Sequence, residues 1–202
     1  MNQQERIFSN GRANPEKFGW PARSSAGSQP DSQRIEQTAR LLGRPVFFVD
    51  GDGYECEIIG AAVGACREIA YVESRARKDP SRNFVDISIR VHLVEPDGSR
   101  RSADIESYNP FFGCDVRHFE WIGRAVVLIY REKHWTFVCR FGDVWPPRFV
   151  KIEDDWVING GMIGFIGYQE NLVRRLSIPA LDPHDPVSIE EATQIGLLPP
   201  KS

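Results

Sequence analysis

The chain has few of the features that announce most functions. Its four cysteines, Cys56, Cys66, Cys114 and Cys139, make no CxxC pair and no dense framework. That spacing argues against a disulfide scaffold and is the usual pattern of reduced thiols in a cytoplasmic protein. Long hydrophobic runs are missing too. The longest uncharged stretch of apolar character, residues 156–169, is broken by four glycines, and it falls short of the roughly 20 residues that cross a bilayer. No membrane partner is expected. The first 32 residues have no apolar signal-peptide centre and carry charges throughout, so secretion by that route is not expected. Nor is there an excess of positive charge. A formal net charge of -3 and a pI near 5.9 argue against nucleic acid or an anionic membrane as partner, since both reward clustered cations. Catalytic and cofactor signatures are also lacking: there is no G-x-S-x-G elbow, HExxH, P-loop or G-x-G-x-x-G. No cofactor is called for.

The residues that are present describe a globular chain. Across 202 residues, 41% are hydrophobic, 26% charged and 11% aromatic, enough to bury a core without metals or disulfides. Residues 1–30 are rich in Ser, Gly, Asn, Gln and Pro and read as a flexible arm, with Phe18 and Trp20 as its bulky apolar residues. Residues 31–202 read as a single mainly β domain. A helix is expected over about 32–42, capped by Asp31 or Ser32, striped by Ile35, Ala39 and Leu42, and stopped by Gly43 and Pro45.

Beyond Pro45 the apolar period changes to two. Residues 46–49 and 54–63 flank the turn cluster Asp50-Gly51-Asp52-Gly53, and 66–74 is either a strand or a helical turn. The clearest alternation runs over 84–94, with Val85, Ile87, Ile89, Val91 and Leu93 on one face and Asp86, Ser88, Arg90 and His92 on the other. Pro96-Asp97-Gly98 turns it back into 99–107. The continuous run Ala125 to Tyr130 suits a central strand covered on both faces. Strands over 135–141, 149–152 and 156–158 follow, and Asn159-Gly160 is the preferred loop of a hairpin returning through 161–168. Gly161, Gly164 and Gly167 in that return predict curvature or a close approach. A second helix, about 188–195, starts at a Ser188/Glu191 capping box and ends at Gly196. The fold class is therefore α+β, mainly antiparallel β, as a curved sheet or open barrel meander with short flanking helices.

Several constellations bear on function. Cys114, His118, His134 and Cys139 supply the ligand types of a tetrahedral zinc, but His134 and Cys139 are an odd number apart and leave opposite faces of a strand. No metal is assigned to them. Asp50 and Asp52 with Glu55 and Glu57 lack the frame of a calcium-binding EF-hand, and a hairpin turn explains them. Pro96-Asp97 followed by Asp104-Ile105-Glu106 resembles the PD-(D/E)xK nuclease motif, with Glu106 in the place of its lysine. The resemblance implies a metal-dependent hydrolase using Asp97, Asp104 and Glu106, without the cation that would stabilise an attacking hydroxide.

Over residues 117–151 seven basic residues stand against three acidic, and from 152 onward three stand against eight, so the two parts neutralise each other if they touch. Aromatics interleave with these cations. That pattern serves single-stranded nucleic acid or, better matched to an acidic chain, a protein partner. The sequence thus favours a non-catalytic, protein-binding module of accessory or inhibitor type, engaging its partner through Trp121, Trp135, Trp145 and Arg148.

Overall fold

The computed structural model describes residues 32–78, 85–105, 115–132, 135–153, 156–166, 172–178 and 180–198. The expected arm, residues 1–30, lies outside them, as do Glu106, Cys114, His134 and Gly167. Helix α1 (Ser32–Leu41) leads into β1 (Phe47–Val49), β2 (Glu55–Val63), β3 (Ile69–Lys78), β4 (Val85–Val94) and β5 (Arg100–Ile105). These five strands pair in chain order as one antiparallel sheet. A second sheet holds β6 (Asp115–Ile122), β7 (Ala125–Glu132), β8 (Trp135–Gly142) and β9 (Arg148–Ile152), again in chain order. The third holds β10 (Trp156–Asn159), β11 (Met162–Ile166), β12 (Leu172–Ser177) and β13 (Asp182–Ser188), and α2 (Ile189–Gln194) follows it.

Among the described residues the chain is thus mainly antiparallel β with two short helices, and none of the three sheets closes. Where the sequence suggested one curved meander, the strands divide into three layers. The reason lies in β7, whose residues 125–130 are all buried. A curved sheet or barrel has one interior, whereas a strand apolar on both faces needs a cover on each. Val126, Leu128 and Tyr130 face Val72, Ile89, Val91 and Leu93 of the first sheet. Ala125, Val127 and Ile129 face Ile163, Phe165 and Leu176 of the third. The second sheet is therefore the middle layer of the molecule.

The helices cover the two remaining faces. Ile35, Ala39 and Leu42 of the first helix region lie on Ile58, Ala61 and Tyr71. Ala192 of α2, with Leu197 and Leu198, lies on Val173 and Val187. Both helices stop as their residues dictate, with Gly43 at φ +64° and Gly196 at φ +73°. The Ser188 hydroxyl accepts the Glu191 N–H at 3.1 Å, which is the expected cap.

Three local outcomes refine the sequence reading. The chain turns at Gly64–Arg67, with Arg67 at positive φ, and the third strand begins only at Ile69. In the hairpin after β10, Asn159 pairs with Met162, so the two loop residues are Gly160 and Gly161, both at positive φ. Strands β12 and β13 were not foreseen. Pro183 and Pro186 lack the N–H that an inner strand needs, but β13 is an edge strand, where a residue without an N–H is tolerated.

Candidate functional site

The polar faces of β3, β4 and β5 stand in register on the outer side of the first sheet. Tyr71, His92 and Ser102 are opposite one another, and Glu73, Arg90 and Asp104 form the next row. Helix α1 covers Tyr71 and Ile58 but leaves the rows beyond open, and Arg44, Phe48, Val49, Asp50 and Gly51 rise as a wall beside them. The resulting cleft has a volume of about 570 Å³, with Glu73, Arg75, Arg90, His92, Arg100 and Ser102 on its floor and sides.

Burying an ionisable group is costly unless it is paired and hydrogen-bonded. Yet Glu73, Arg75 and His92 are only 4%, 5% and 3% exposed. Each is held by partners. Nε2 of His92 bonds the Glu73 carboxylate, which also accepts from Arg44 at 3.3 Å. The His92 ring stacks on Tyr71 with centroids 4.4 Å apart. On the other side of the ring, Nδ1 lies 2.7 Å from the Ser102 hydroxyl and 3.0 Å from Nη2 of Arg100. A guanidinium only donates, so Nδ1 is an acceptor, the Ser102 hydroxyl donates to it, and the proton of a neutral His92 sits on Nε2 toward Glu73. Arg100 also donates to the Tyr71 hydroxyl.

Around this centre Arg75 pairs with Asp50 and lies 4.2 Å over the Tyr54 ring, while Arg90 grips Asp104 through two bonds of 2.6 and 2.9 Å. Asp50 in turn closes the β1–β2 turn by accepting from the Asp52 and Tyr54 N–H groups. That is the turn role expected of the Asp/Gly cluster.

The electrostatics follow. Burial holds His92 below its ordinary range, and the Arg100 and Arg90 charges add to this against the pull of Glu73. Burial would raise the Glu73 carboxyl, but the His92 hydrogen bond and the Arg100 and Arg44 charges outweigh it and hold the group low. Burial pushes the Tyr71 phenol up to about 12, so it keeps its proton. The site at neutral pH is a neutral imidazole between an anion and a cation.

The residues singled out from the sequence are distributed differently. Trp121 leans into the core between the first and second sheets, with its indole N–H 3.3 Å from the Ala62 carbonyl. Trp145 sits edge-on to Phe141, with the Arg101 guanidinium 5.3 Å over its ring. Trp135 is 48% exposed at the far end of β8, under the Lys151 ammonium. Arg148 leaves the opposite face of the middle sheet and donates to the Ala180 carbonyl and to Asp182 at 2.7 and 3.0 Å. There the basic stretch does meet the acidic one. These four residues do not form one surface.

His118 and Cys139 leave opposite faces of the middle sheet: Cys139 is buried toward the first sheet, whereas His118 meets the Trp156 ring on the side of the third. A bulge between Val116 and His118 turns the histidine over, so these two cannot share a metal ion. Asp97 caps the β4–β5 turn by accepting the Ser99 N–H at 2.8 Å, while Asp104, several residues along β5, is bound to Arg90. The structure does not bring those two carboxylates together.

Sequence reasoning missed the cleft. It read Arg90 and His92 as a solvated face and did not weigh Glu73, Arg75 or Arg100. The available signal was that Tyr71-x-Glu73-x-Arg75, Arg90-x-His92 and Arg100-x-Ser102-x-Asp104 each present polar groups at period two in consecutive strands. No family model, curated protein or solved structure matches the chain.

Proposed function

We propose that the chain is a non-catalytic binding module whose recognition site is the cleft on the outer face of the first sheet. The single observation that carries this reading is the burial of Glu73, His92 and Arg75 in the floor of an open hollow. Ion pairs of this kind add little to stability compared with apolar packing of the same volume, and clustered perturbed groups in a concavity mark binding sites. The free thiols of Cys56, Cys66 and Cys139 accord with a cytoplasmic setting. A thermal-shift screen of the full chain against a panel of small anions, cations and neutral compounds tests the reading. At least one class stabilises the wild type and loses its effect in Arg90→Ala; a panel that leaves the melting temperature unmoved throughout overturns it.

A second reading, a protein partner, is favoured by one observation. Trp135 and Phe149 are exposed beside Lys151 where β9 forms the edge of the middle sheet. If this face binds, a photo-crosslinker at position 135 captures a discrete partner that the Phe149→Asp variant no longer binds.

A further inference from the structure

Resting on the reading of the cleft as a binding site, we propose that its occupant is a small organic anion, bearing a carboxylate or a phosphate, clasped by Arg44, Arg90 and Arg100, and that its arrival places a proton on His92.

The sign of the ligand follows from the lining. Four guanidiniums, Arg44, Arg75, Arg90 and Arg100, are met by Asp50 and Glu73 in the lining and by Asp104 and Asp52 beside it, so the sign of the ligand is set by which groups are left unused around the neutral imidazole. The oxygens of Asp50, Glu73 and Asp104 are each taken by a donor of the protein, so a cation finds its acceptors occupied, whereas an anion meets unused donors. The donors are also in place. Arg75 is consumed by Asp50, but each of the other three keeps part of its fork free. Among the described residues, Nη1 of Arg90 and of Arg100 and the Nε and Nη2 groups of Arg44 meet no acceptor. Planar forks from several directions match the oxygens of a carboxylate or phosphate. Phe48, with the Arg44 guanidinium 4.7 Å over its ring, and the exposed Val49 supply an apolar wall for the body of an organic anion.

The proton linkage follows from how His92 is held. Tyr71 and Glu73 face it from β3, Arg90 flanks it on β4, and Arg100 and Ser102 face it from β5, with Arg44 reaching Glu73 from the loop after α1. Burial and the donors at Nδ1 keep that nitrogen unprotonated, and of the two donors, Ser102 and Arg100, only Arg100 carries a charge. An anion that takes the Arg100 donors neutralises that charge and leaves the imidazole between two negative groups, Glu73 and the ligand. The imidazole then binds a proton at Nδ1, drawn from solvent, and donates from both nitrogens. Tyr71 keeps its own proton throughout, so the proton does not come from the phenol.

Calorimetry of the full chain at pH 7 tests both halves, with benzoate and phenyl phosphate as anionic probes, benzamide as the neutral control and benzylamine as the cationic one. Each is titrated in two buffers of different ionisation enthalpy. The anions bind and the controls do not, the stronger of the two anions tells carboxylate from phosphate, and Arg100→Gln weakens binding about tenfold or more. The apparent enthalpy differs between buffers as required for net uptake of up to one proton, and the difference vanishes in His92→Gln. Nitrogen NMR of the wild type reads the same step without a variant: the ring is the neutral Nε2–H form when free and doubly protonated when occupied. Binding of benzamide or benzylamine as tightly as the anions overturns the ligand class and leaves the cleft a binding site. Equal enthalpies in both buffers with an unchanged imidazole overturn the proton linkage. Heat from none of the four overturns the binding-site reading itself.

Discussion

Glu73 is the residue on which the cleft depends. Its carboxylate is the common acceptor for His92 and Arg44, with Arg100 nearby, and all of them lose that anion together. Removing one partner of a buried charged pair leaves the others uncompensated, so Glu73→Ala costs about 3–5 kcal/mol in urea unfolding, and Glu73→Gln, which keeps the shape, costs less. The pH dependence has a definite sign. His92 is held below its ordinary 6.5 in the fold, so the unfolded chain binds the more protons and stability falls as pH drops below about 6.5. Glu73, with its pKa held below 4.5, contributes stability that is present above that pH and is lost as pH falls further. Unfolding midpoints at pH 7.5 and 5.5 therefore differ in favour of the higher pH, and the difference shrinks in His92→Gln. Little of this was legible in the residues alone. His92 and Arg90 alternate as solvated strand residues do. What buries the histidine is its pairing with Tyr71 and Ser102 across two strands, and register between strands is not written in the period of either one.

At the scale of elements, what could be read was local chemistry. The Ser188/Glu191 cap, the Pro96-Asp97-Gly98 turn and the two-residue loop after β10 are each fixed by a few neighbouring residues, and each is present, the last displaced by one position. Ser188→Ala lowers stability by about 1 kcal/mol, measured by thermal unfolding. Close approach was legible only as one of several meanings of glycine. A Cβ built on Gly164 meets Leu197 at 2.8 Å, so the absence of a side chain there seats the segment after α2. Gly164→Val forces Leu197 off the third sheet and destabilises the protein, and the added change Leu197→Ala recovers part of the loss, which a double-mutant cycle detects. The last two strands lay beyond reading because Pro183 and Pro186 carry no mark that theirs is an edge.

For the whole molecule, the run from Ala125 to Tyr130 carried the decisive information. A strand that is apolar on both faces demands two covers, and the three-layer arrangement with helices outside meets that demand. The number of sheets was harder to foresee, because where one meander ends and the next begins depends on which faces find each other after folding. Leu128 lies wholly inside the contact between the first two layers, and Leu128→Ala costs about 2–5 kcal/mol by chemical denaturation, far more than a truncation on an outer face.

The inner position of β7 also fixes the order in which backbone amides give up their hydrogens to deuterated solvent. Peeling either outer sheet away leaves β7 still bonded to β6 and β8, so its amides exchange only when the entire chain opens, whereas those of β1 and β13, at free edges, exchange through local fraying. The exchange rate of β7 is thus a built-in gauge of global unfolding, and a compound seated in the cleft, on the far face of the neighbouring sheet, slows it by as much as it stabilises the protein as a whole.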